Sequence, residues 1–230
     1  AVNHNLNPRL FSEQLIYIIN HANDKILIID LDLVPIIEKI ILDCPKVEKL
    51  VILCSKADLP STKFSEVISY EELLSIGSEN FDWIAGEETD ACGICYTSGT
   101  TGNPKGVVYT HRSNTLHALT QAAPDMLNLS STDTIMPVVP LFHANGWSIA
   151  YTAPLVGASI VFPGGDLSPS SLYDMLEKGV TITAAVPTVW LLLLNFLESE
   201  KKELSSLKRV VIGGSSCPRS VIEDFQNKYG

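Results

Sequence analysis

The sequence predicts an α/β fold with a mostly parallel β-sheet and flanking helices. Short, nearly continuous apolar runs such as 26–30 and 50–54 are typical of strands buried on both faces of a parallel sheet. Helix signals lie between these runs, and this alternation favours parallel strands joined by right-handed crossovers. The 230 residues are 46% hydrophobic and 18% charged, a globular composition with enough length for a sizeable core.

Each element has its own local signal. Apolar runs bounded by turn residues predict strands at 26–30, 50–54, 92–95, 106–110, 134–138, 159–162, 181–186 and 209–212. Segments with Ser or Pro at the start, or an amphipathic pattern, predict helices at 12–21, 35–41, 70–75, 111–123, 168–178, 187–198 and 218–229. For the helix at 168–178, three residues predict consistent bounds: the cap Ser168, the first-turn Pro169 and the terminal Gly179. Residues 56–90 are polar and acidic, and we expect a surface excursion there.

Charge and cysteine content exclude several classes of function. The net charge is −10, and the sixteen basic residues are scattered, which argues against a nucleic-acid or anionic-membrane partner. No apolar run approaches the roughly 20 residues that a membrane span needs. An odd number of cysteines, five, indicates reduced thiols and a cytoplasmic protein. Cys92 and Cys95 form a C-x-x-C, but they lie in a predicted strand, so buried bystander thiols are favoured over a redox pair or a zinc site.

The stretch from Tyr96 to Gly106 has no counterpart elsewhere in the chain. It reads Tyr-Thr-Ser-Gly-Thr-Thr-Gly-Asn-Pro-Lys-Gly and lies between two predicted strands. Glycines let several backbone N–H groups face one concavity, hydroxyls add donors, and Lys105 adds a positive charge. These features indicate a phosphate-binding loop. The spacing to Lys105 matches neither a Walker loop nor a dinucleotide fingerprint.

This stretch resembles the phosphate-binding signature of the acyl-adenylate-forming (ANL) superfamily, which includes acyl-CoA synthetases, luciferases and peptide-synthetase adenylation domains. The resemblance covers most of the chain and implies part of the family's large N-terminal, AMP-binding domain. It implies that Thr97 is a Mg²⁺ ligand. It also implies that the β- and γ-phosphates of ATP are held by the residues Ser98, Gly99, Thr100, Thr101, Gly102 and Lys105.

A second segment, Val138 to Trp147, resembles the family's acyl-substrate wall. Amino-acid-activating relatives carry an Asp after the Phe of this segment, whereas this chain has His143 there. With Asn145 and Trp147, the segment is most similar to medium- and long-chain fatty acyl-CoA synthetases, in which a matching tryptophan is thought to gate the fatty-acid tunnel. The resemblance implies that His143, Asn145 and Trp147 line the acid site, with His143 near the reacting carboxylate.

A third segment, Gly213-Gly214-Ser215-Ser216-Cys217-Pro218, is a strand-to-helix turn. In the family the equivalent turn lies against the adenine, which would explain paired glycines at a close backbone approach. The resemblance therefore implies that Gly213, Gly214 and Ser215 contact the nucleotide.

The function that the resemblance implies is ATP-dependent activation of a fatty acid to acyl-AMP and then acyl-CoA, with Mg²⁺ and coenzyme A. We expect segments 1–90 and 91–230 to form one partial domain, with the later Tyr-Gly-x-Thr-Glu motif and the C-terminal domain absent and the chain alone inactive. Three alternatives stay open: an aryl- or short-chain synthetase or luciferase-like ligase, a non-catalytic nucleotide-binding homologue, and a C-x-x-C oxidoreductase. The sequence also leaves the oligomeric state open, a homodimer included.

Overall fold

The computed structural model describes residues 1–97 and 102–229. It divides the chain into two compact units, Ala1–Thr110 and His111–Gly230. Each unit has its own sheets, helices and apolar core, and each is described by itself. The predicted division into segments 1–90 and 91–230 of one partial domain stays a prediction.

The first unit contains two sheets and three α-helices among its described residues. Its strands are β1 (Asn3–His4), β2 (Ile26–Asp30), β3 (Lys49–Leu53), β4 (Val67–Ser69), β5 (Ala91–Thr97) and β6 (Lys105–Thr110). Its helices are α1 (Ser12–Ala22), α2 (Val34–Ile40) and α3 (Tyr70–Ser75). Strands β2, β3 and β4 are parallel neighbours in that order. In the other sheet β5 lies between β1, which is parallel to it, and β6, which is antiparallel.

The core of the first unit lies between its parallel sheet and helices α1 and α2. It is built from aliphatic side chains such as Ile19, Ile40, Leu50 and Ile52, each at most 1% exposed. Apolar residues at helical spacing on α1 and α2 and nearly continuous apolar residues on β3 supply this packing.

The second unit is a parallel four-stranded sheet with helices on both faces. Its strands are β7 (Thr134–Pro137), β8 (Ser159–Ile160), β9 (Ile182–Ala185) and β10 (Arg209–Ile212). Its helices are α4 (His111–Ala122), α5 (Ala144–Trp147), α6 (Ile149–Val156), α7 (Pro169–Leu176), α8 (Pro187–Glu200) and α9 (Arg219–Lys228). The strand order is β10-β9-β7-β8, and every neighbouring pair is parallel.

Two apolar clusters cover the two faces of this sheet. On one face, Met136 and Ala185 pack with α7, α8 and α9 around Trp190, which is fully buried with its ring edge-on to Phe225. On the other face, residues of β7 and β9 such as Ile135 pack with α6. Successive strand residues alternate between the clusters, as the pleat of a strand requires.

A partly buried ion pair joins the amino ends of these strands. Asp133, which is 6% exposed, precedes β7 and accepts hydrogen bonds at 2.8 Å from Arg209 Nη2 and 2.9 Å from Thr181 Oγ1. Burial raises the pKa of the Asp133 carboxyl, but the hydrogen bonds from Arg209, Ser130 and Thr181 outweigh that effect and hold the pKa at about 2. The carboxylate therefore joins the starts of three neighbouring strands.

The structure confirms the predicted fold class and contains every predicted strand and helix within its described residues. It adds β1, α5 and α6, which the sequence analysis did not predict, and it corrects one further segment. Residues 56–90 are not only a surface excursion, because Val67–Ser69 pairs with β3 as an additional parallel strand. Several predicted strands are shorter than their apolar runs; for example, only Ser159–Ile160 of 159–162 pairs. Within the two described ranges, no helix combines the length and apolarity that crossing a membrane requires.

Candidate active site

The phosphate-loop signature joins the two strands of a hairpin in the first unit. Thr97 is the last residue of β5, Lys105 is the first residue of β6, and the two are paired across the antiparallel ladder. Both are exposed. Gly102, on the Lys105 side of the loop, has a positive φ of 92°, a conformation that suits glycine. The predicted phosphate ligands Ser98, Gly99, Thr100 and Thr101 lie outside the described residues.

Tyr96 and Gly106, at the two ends of the signature, depend on each other. They are paired across β5 and β6, and a β-carbon built at Gly106 would lie 3.1 Å from Cζ of Tyr96 and 2.9 Å from Cδ1 of Ile94. The Tyr96 ring thus covers the space that a side chain at Gly106 would fill. The strand pairing therefore accounts for the glycine at position 106.

The Tyr96 hydroxyl is itself fixed by α1. It lies 2.6 Å from Nδ1 of His21, and the Tyr96 ring packs at 5.1 Å from the ring of His4. His4 Nδ1 in turn lies 2.9 Å from both carboxylate oxygens of Asp24. Burial, followed by the nearby charge of Asp24, raises the pKa of Tyr96, so its phenol stays neutral and can donate a hydrogen bond. The base of the hairpin is held from one side by ring and polar contacts.

The described strand ends of this hairpin carry two groups that can bind an anionic phosphate. Lys105 supplies a positive charge at one strand end, and Thr97 supplies a hydroxyl at the facing strand end. In the described part of the chain, no three His, Cys, Asp or Glu side chains group together as metal ligands. Mg²⁺ commonly binds through one or two protein oxygens together with substrate phosphates, and the Thr97 hydroxyl is compatible with that mode.

The predicted acid wall, in the second unit, is a left-handed turn. The φ angles of Ala144, Asn145, Gly146, Trp147 and Ser148 are 45°, 49°, 62°, 54° and 62°. Left-handed residues normally occur singly, and each non-glycine residue costs about 1–2 kcal/mol. Such strain persists only where surrounding contacts hold it, and it is concentrated at functional sites.

The three predicted wall residues differ in their exposure to solvent. His143 precedes the turn and is exposed, Asn145 is 4% exposed, and Trp147 is half-buried. The carbonyl of His143 accepts the backbone N–H of Gly146 at 3.1 Å. His143 is therefore the member of this set that is open to a ligand, whereas Asn145 belongs to the interior of the turn.

Trp147 packs on the turn that was predicted to contact the nucleotide. A β-carbon built at Gly213 would lie 3.0 Å from Cη2 of Trp147, and one built at Gly214 would lie 3.0 Å from Cγ1 of Val186. Gly214 also has a positive φ of 83°. Glycine is thus required at both positions because the side chains of Trp147 and Val186 lie close to the backbone. Ser215 is exposed. The structure brings Trp147, which was predicted to line the acid wall, into contact with the Gly-Gly turn.

The strand order explains the contact between Trp147 and the Gly-Gly turn. The chain leaves β7 toward β8 on one side and leaves β9 toward β10 on the other, so the connections diverge between β7 and β9. Ligands of open α/β sheets bind beyond the carboxyl ends of the strands at such a switch point. Trp147, Val186 and Gly213 all lie in segments that follow these carboxyl ends, which favours this edge as a binding site.

Two polar residues near the wall were not anticipated from the sequence. Gln121 of α4 donates from Nε2 to the carbonyl of Trp147 at 2.8 Å, and its Oε1 accepts from Oγ1 of Thr152 at 2.5 Å. Thr152, on α6, is fully buried. Gln121 lies 26 residues before Trp147 in a mostly polar helix, and no spacing or motif in the sequence connects them.

The cysteine pair does not have the environment that thiol redox chemistry requires. Cys92 and Cys95 lie in β5, and Cys95 is 3% exposed. A reactive C-x-x-C needs an accessible thiol in surroundings that stabilise the thiolate. The strand position matches the sequence prediction, and the burial of Cys95 removes the premise of the oxidoreductase alternative.

Comparisons with known proteins identify the family and its relatives. A family model described as AMP-binding enzyme matches residues 1–230. The chain is 47% identical over 228 residues to a medium-chain-fatty-acid–CoA ligase of Ectopseudomonas oleovorans, covering 99% of this chain and 42% of the relative. It is 45% identical over 227 residues to a long-chain-fatty-acid–CoA ligase of Thermus thermophilus, covering 98% and 40%. The chain thus spans less than half the length of these relatives.

A solved structure shows the same fold. The anthranilate CoA ligase AuaEII, crystallised with anthranoyl-AMP, superposes with a TM-score of 0.88 over 100% of this chain and 44% of that one, at 24% identity.

Proposed function

The chain belongs to the AMP-binding enzyme family, and from that premise we propose that the full-length protein joins a medium- or long-chain fatty acid to coenzyme A, using ATP. The proposal has two half-reactions. The carboxylate attacks the α-phosphate of ATP to give acyl-AMP and pyrophosphate, and the thiol of coenzyme A then displaces AMP.

One observation carries the proposal: the contact between Trp147 and Gly213. The first half-reaction requires an acid site and a nucleotide site that share a boundary, because the carboxylate must reach the α-phosphate. Trp147 stands in the segment proposed for the acid, and Gly213 in the turn proposed for the adenine. The identity to two fatty-acid ligases supports an alkyl substrate, which gains about 0.8 kcal/mol for each buried CH₂.

The residues have distinct proposed roles. Charge builds on the phosphates during adenylation, so positioned donors supply much of the rate enhancement. We assign Lys105 and the loop Ser98–Gly102 to the β- and γ-phosphates, Thr97 to Mg²⁺, and His143 to the reacting carboxylate. Gly213, Gly214 and Ser215 are assigned to the adenine. The proposal includes Mg²⁺ as the partner of ATP, a cytoplasmic location and a homodimer as the oligomeric state to be tested.

The test is acid-dependent ATP–pyrophosphate exchange by the full-length protein containing these 230 residues. The acids are acetate, benzoate, octanoate and palmitate, and we expect octanoate or palmitate to support the fastest exchange. Faster exchange with benzoate or acetate would favour an aryl- or short-chain ligase. No exchange with any acid, while ATP still binds, would favour a non-catalytic homologue. The 230-residue chain alone is expected to show no exchange.

A further inference from the structure

We propose that Gln121 is a positioning residue that holds Trp147 in the acid wall and so contributes to discrimination between acids of different length. This inference rests on the proposed function, because it assigns the effect to the acid site. Gln121 does not line the wall; it acts through the Trp147 backbone.

The first step of the argument is the backbone of Trp147. The left-handed turn ends at Ser148, and the right-handed helix α6 begins at Ile149. In a continuous helix the Tyr151 N–H would bond to the Trp147 carbonyl, but here it bonds to Ser148 at 3.0 Å. Because the helical hand changes at this point, the Tyr151 N–H does not donate to the Trp147 carbonyl. The side-chain amide of Gln121 fills this place, at 2.8 Å from the Trp147 carbonyl oxygen.

The second step is the fixed orientation of the Gln121 amide. A carbonyl oxygen can only accept, so the amide must direct its NH₂ group to Trp147 and its oxygen away. That oxygen accepts from the Thr152 hydroxyl at 2.5 Å, and the Ser148 carbonyl lies 3.1 Å from the same hydroxyl. Thr152 is 0% exposed. The Gln121 side chain therefore links α4 to α6 and to Trp147 in the left-handed turn.

The third step is the consequence for the indole. A strained turn is kept in place by its contacts, and a bond to the Trp147 carbonyl restrains the φ and ψ angles on both sides of that peptide. The same residue packs on Gly213 through its ring. A rotation of the turn would move the indole relative to Gly213 and change the depth of the acid site. Acids that reach the indole would be affected more than short acids.

Three substitutions separate positioning from general stability. Gln121→Glu keeps the acceptor for Thr152 but removes the donor to Trp147. It places a carboxylate oxygen next to the Trp147 carbonyl oxygen, and the two repel each other. Thr152→Val removes the hydroxyl with little change of shape. Gln226→Ala, at an exposed glutamine of α9 in the same unit, is the matched control. The measurements are kcat and KM for acetate, octanoate and palmitate, together with KM for ATP, in the full-length protein.

We expect Gln121→Glu to lower kcat/KM for octanoate and palmitate by about tenfold relative to acetate, which is the size of effect expected for one lost hydrogen bond. KM for ATP should stay within about twofold. Thr152→Val should act in the same direction but less, and the double variant should be less than additive because both changes affect one network. A uniform loss for all acids, or an unchanged profile, overturns the inference.

A second measurement reports on Trp147 directly. The protein labelled with 5-fluorotryptophan gives ¹⁹F resonances, and that of Trp147 is assigned by its loss in Trp147→Phe. Gln121→Glu should shift or broaden this resonance, whereas Gln226→Ala should leave it unchanged. An unmoved Trp147 resonance overturns the positioning role. If the wild type and Gln226→Ala are equally inactive with every acid, the proposed function has failed, and the assignment to acid discrimination fails with it.

Discussion

The ring of Trp147 occupies the space that a side chain on Gly213 would need. The distance from a β-carbon at Gly213 to Cη2 of Trp147 would be 3.0 Å, and those to the two neighbouring ring carbons would be 3.4 Å. This position in the second unit thus carries a glycine because an aromatic ring lies against its backbone.

Gly213→Ala is expected to displace the Trp147 indole and to destabilise the protein by about 1–3 kcal/mol, the usual cost of overpacking. Activity with octanoate should fall more than that with acetate, since we propose that the indole forms part of the acid wall. Thermal unfolding and acid-dependent exchange are the measurements. Gly165→Ala is the control, because a β-carbon at Gly165 meets no atom within 4 Å. Equal effects of the two substitutions would show that the Trp147 contact is unimportant.

Lys105→Ala is expected to slow acid-dependent pyrophosphate exchange by about 10²–10³-fold, the loss typical of removing one donor to a developing anion. The strand pairing of Lys105 with Thr97 uses backbone groups, so the fold should be retained. Circular dichroism checks this, and Lys39→Ala, an exposed lysine of α2, serves as the comparison. An unchanged exchange rate in Lys105→Ala would remove this lysine from the phosphate site.

The Asp133 carboxylate predicts an acid-dependent loss of stability. Its pKa in the folded protein, about 2, lies below the ordinary value of 3.8. The stabilisation is therefore complete above about pH 4 and is lost as the pH falls toward 2. Asp133→Asn should lower the free energy of unfolding by about 2 kcal/mol near pH 6, and the difference from wild type should shrink toward pH 2.

Urea unfolding at a series of pH values from 2 to 6 measures this effect, since the difference between wild type and variant cancels the titration of other groups. Asp82→Asn, at an exposed site, should give no such pH-dependent difference. If Asp133→Asn lowers the free energy of unfolding by the same amount at every pH, the interaction with Arg209 does not depend on the charge of the carboxylate.

Cysteine labelling tests the thiol environments. Burial, then the charges of Asp43 and Asp24, raises the pKa of Cys44 to about 11, and Cys95 is also buried. In native protein at pH 8, Cys44 and Cys95 should react with iodoacetamide at least about tenfold more slowly than the half-buried Cys217. Mass spectrometry of each peptide gives the rates, and unfolded protein gives the reference. Rapid labelling of Cys95, or a Cys92–Cys95 disulfide after mild oxidation, would reinstate a redox role.

Much of the fold follows from local signals. Continuous apolar runs predicted β2 and β3 as strands buried on both faces. The middle residues of β3 are buried as expected, but Ile26 and Ile28 of β2 are exposed, so that expectation was wrong for one face of β2. Ser168 with Pro169 predicted the start of α7, where the Ser168 hydroxyl accepts the Ser171 N–H. Val67–Ser69 was missed because three residues in a polar region carry too little pattern. Its pairing with β3 selects it as a strand.

The assignment of the site segments stays a prediction, and their geometry could not be predicted. The residue types from Phe142 to Trp147 predict an acid wall, whereas no propensity indicates that Ala144 and Trp147 adopt a positive φ. Tertiary contacts impose that conformation. Gln121 and Thr152 escaped prediction for the same reason, since a hydrogen bond between residues 31 positions apart leaves no local trace.

The run of positive φ angles from Ala144 to Ser148 reverses the usual effect of a glycine substitution on stability. Glycine normally weakens a helical turn, but at Ala144 it would relieve a left-handed residue and raise the melting temperature. The same change would loosen the turn that carries Trp147. Directed evolution for thermal stability alone would therefore favour glycine at Ala144 and weaken the proposed selection between acids, a trade-off between stability and activity at one short turn.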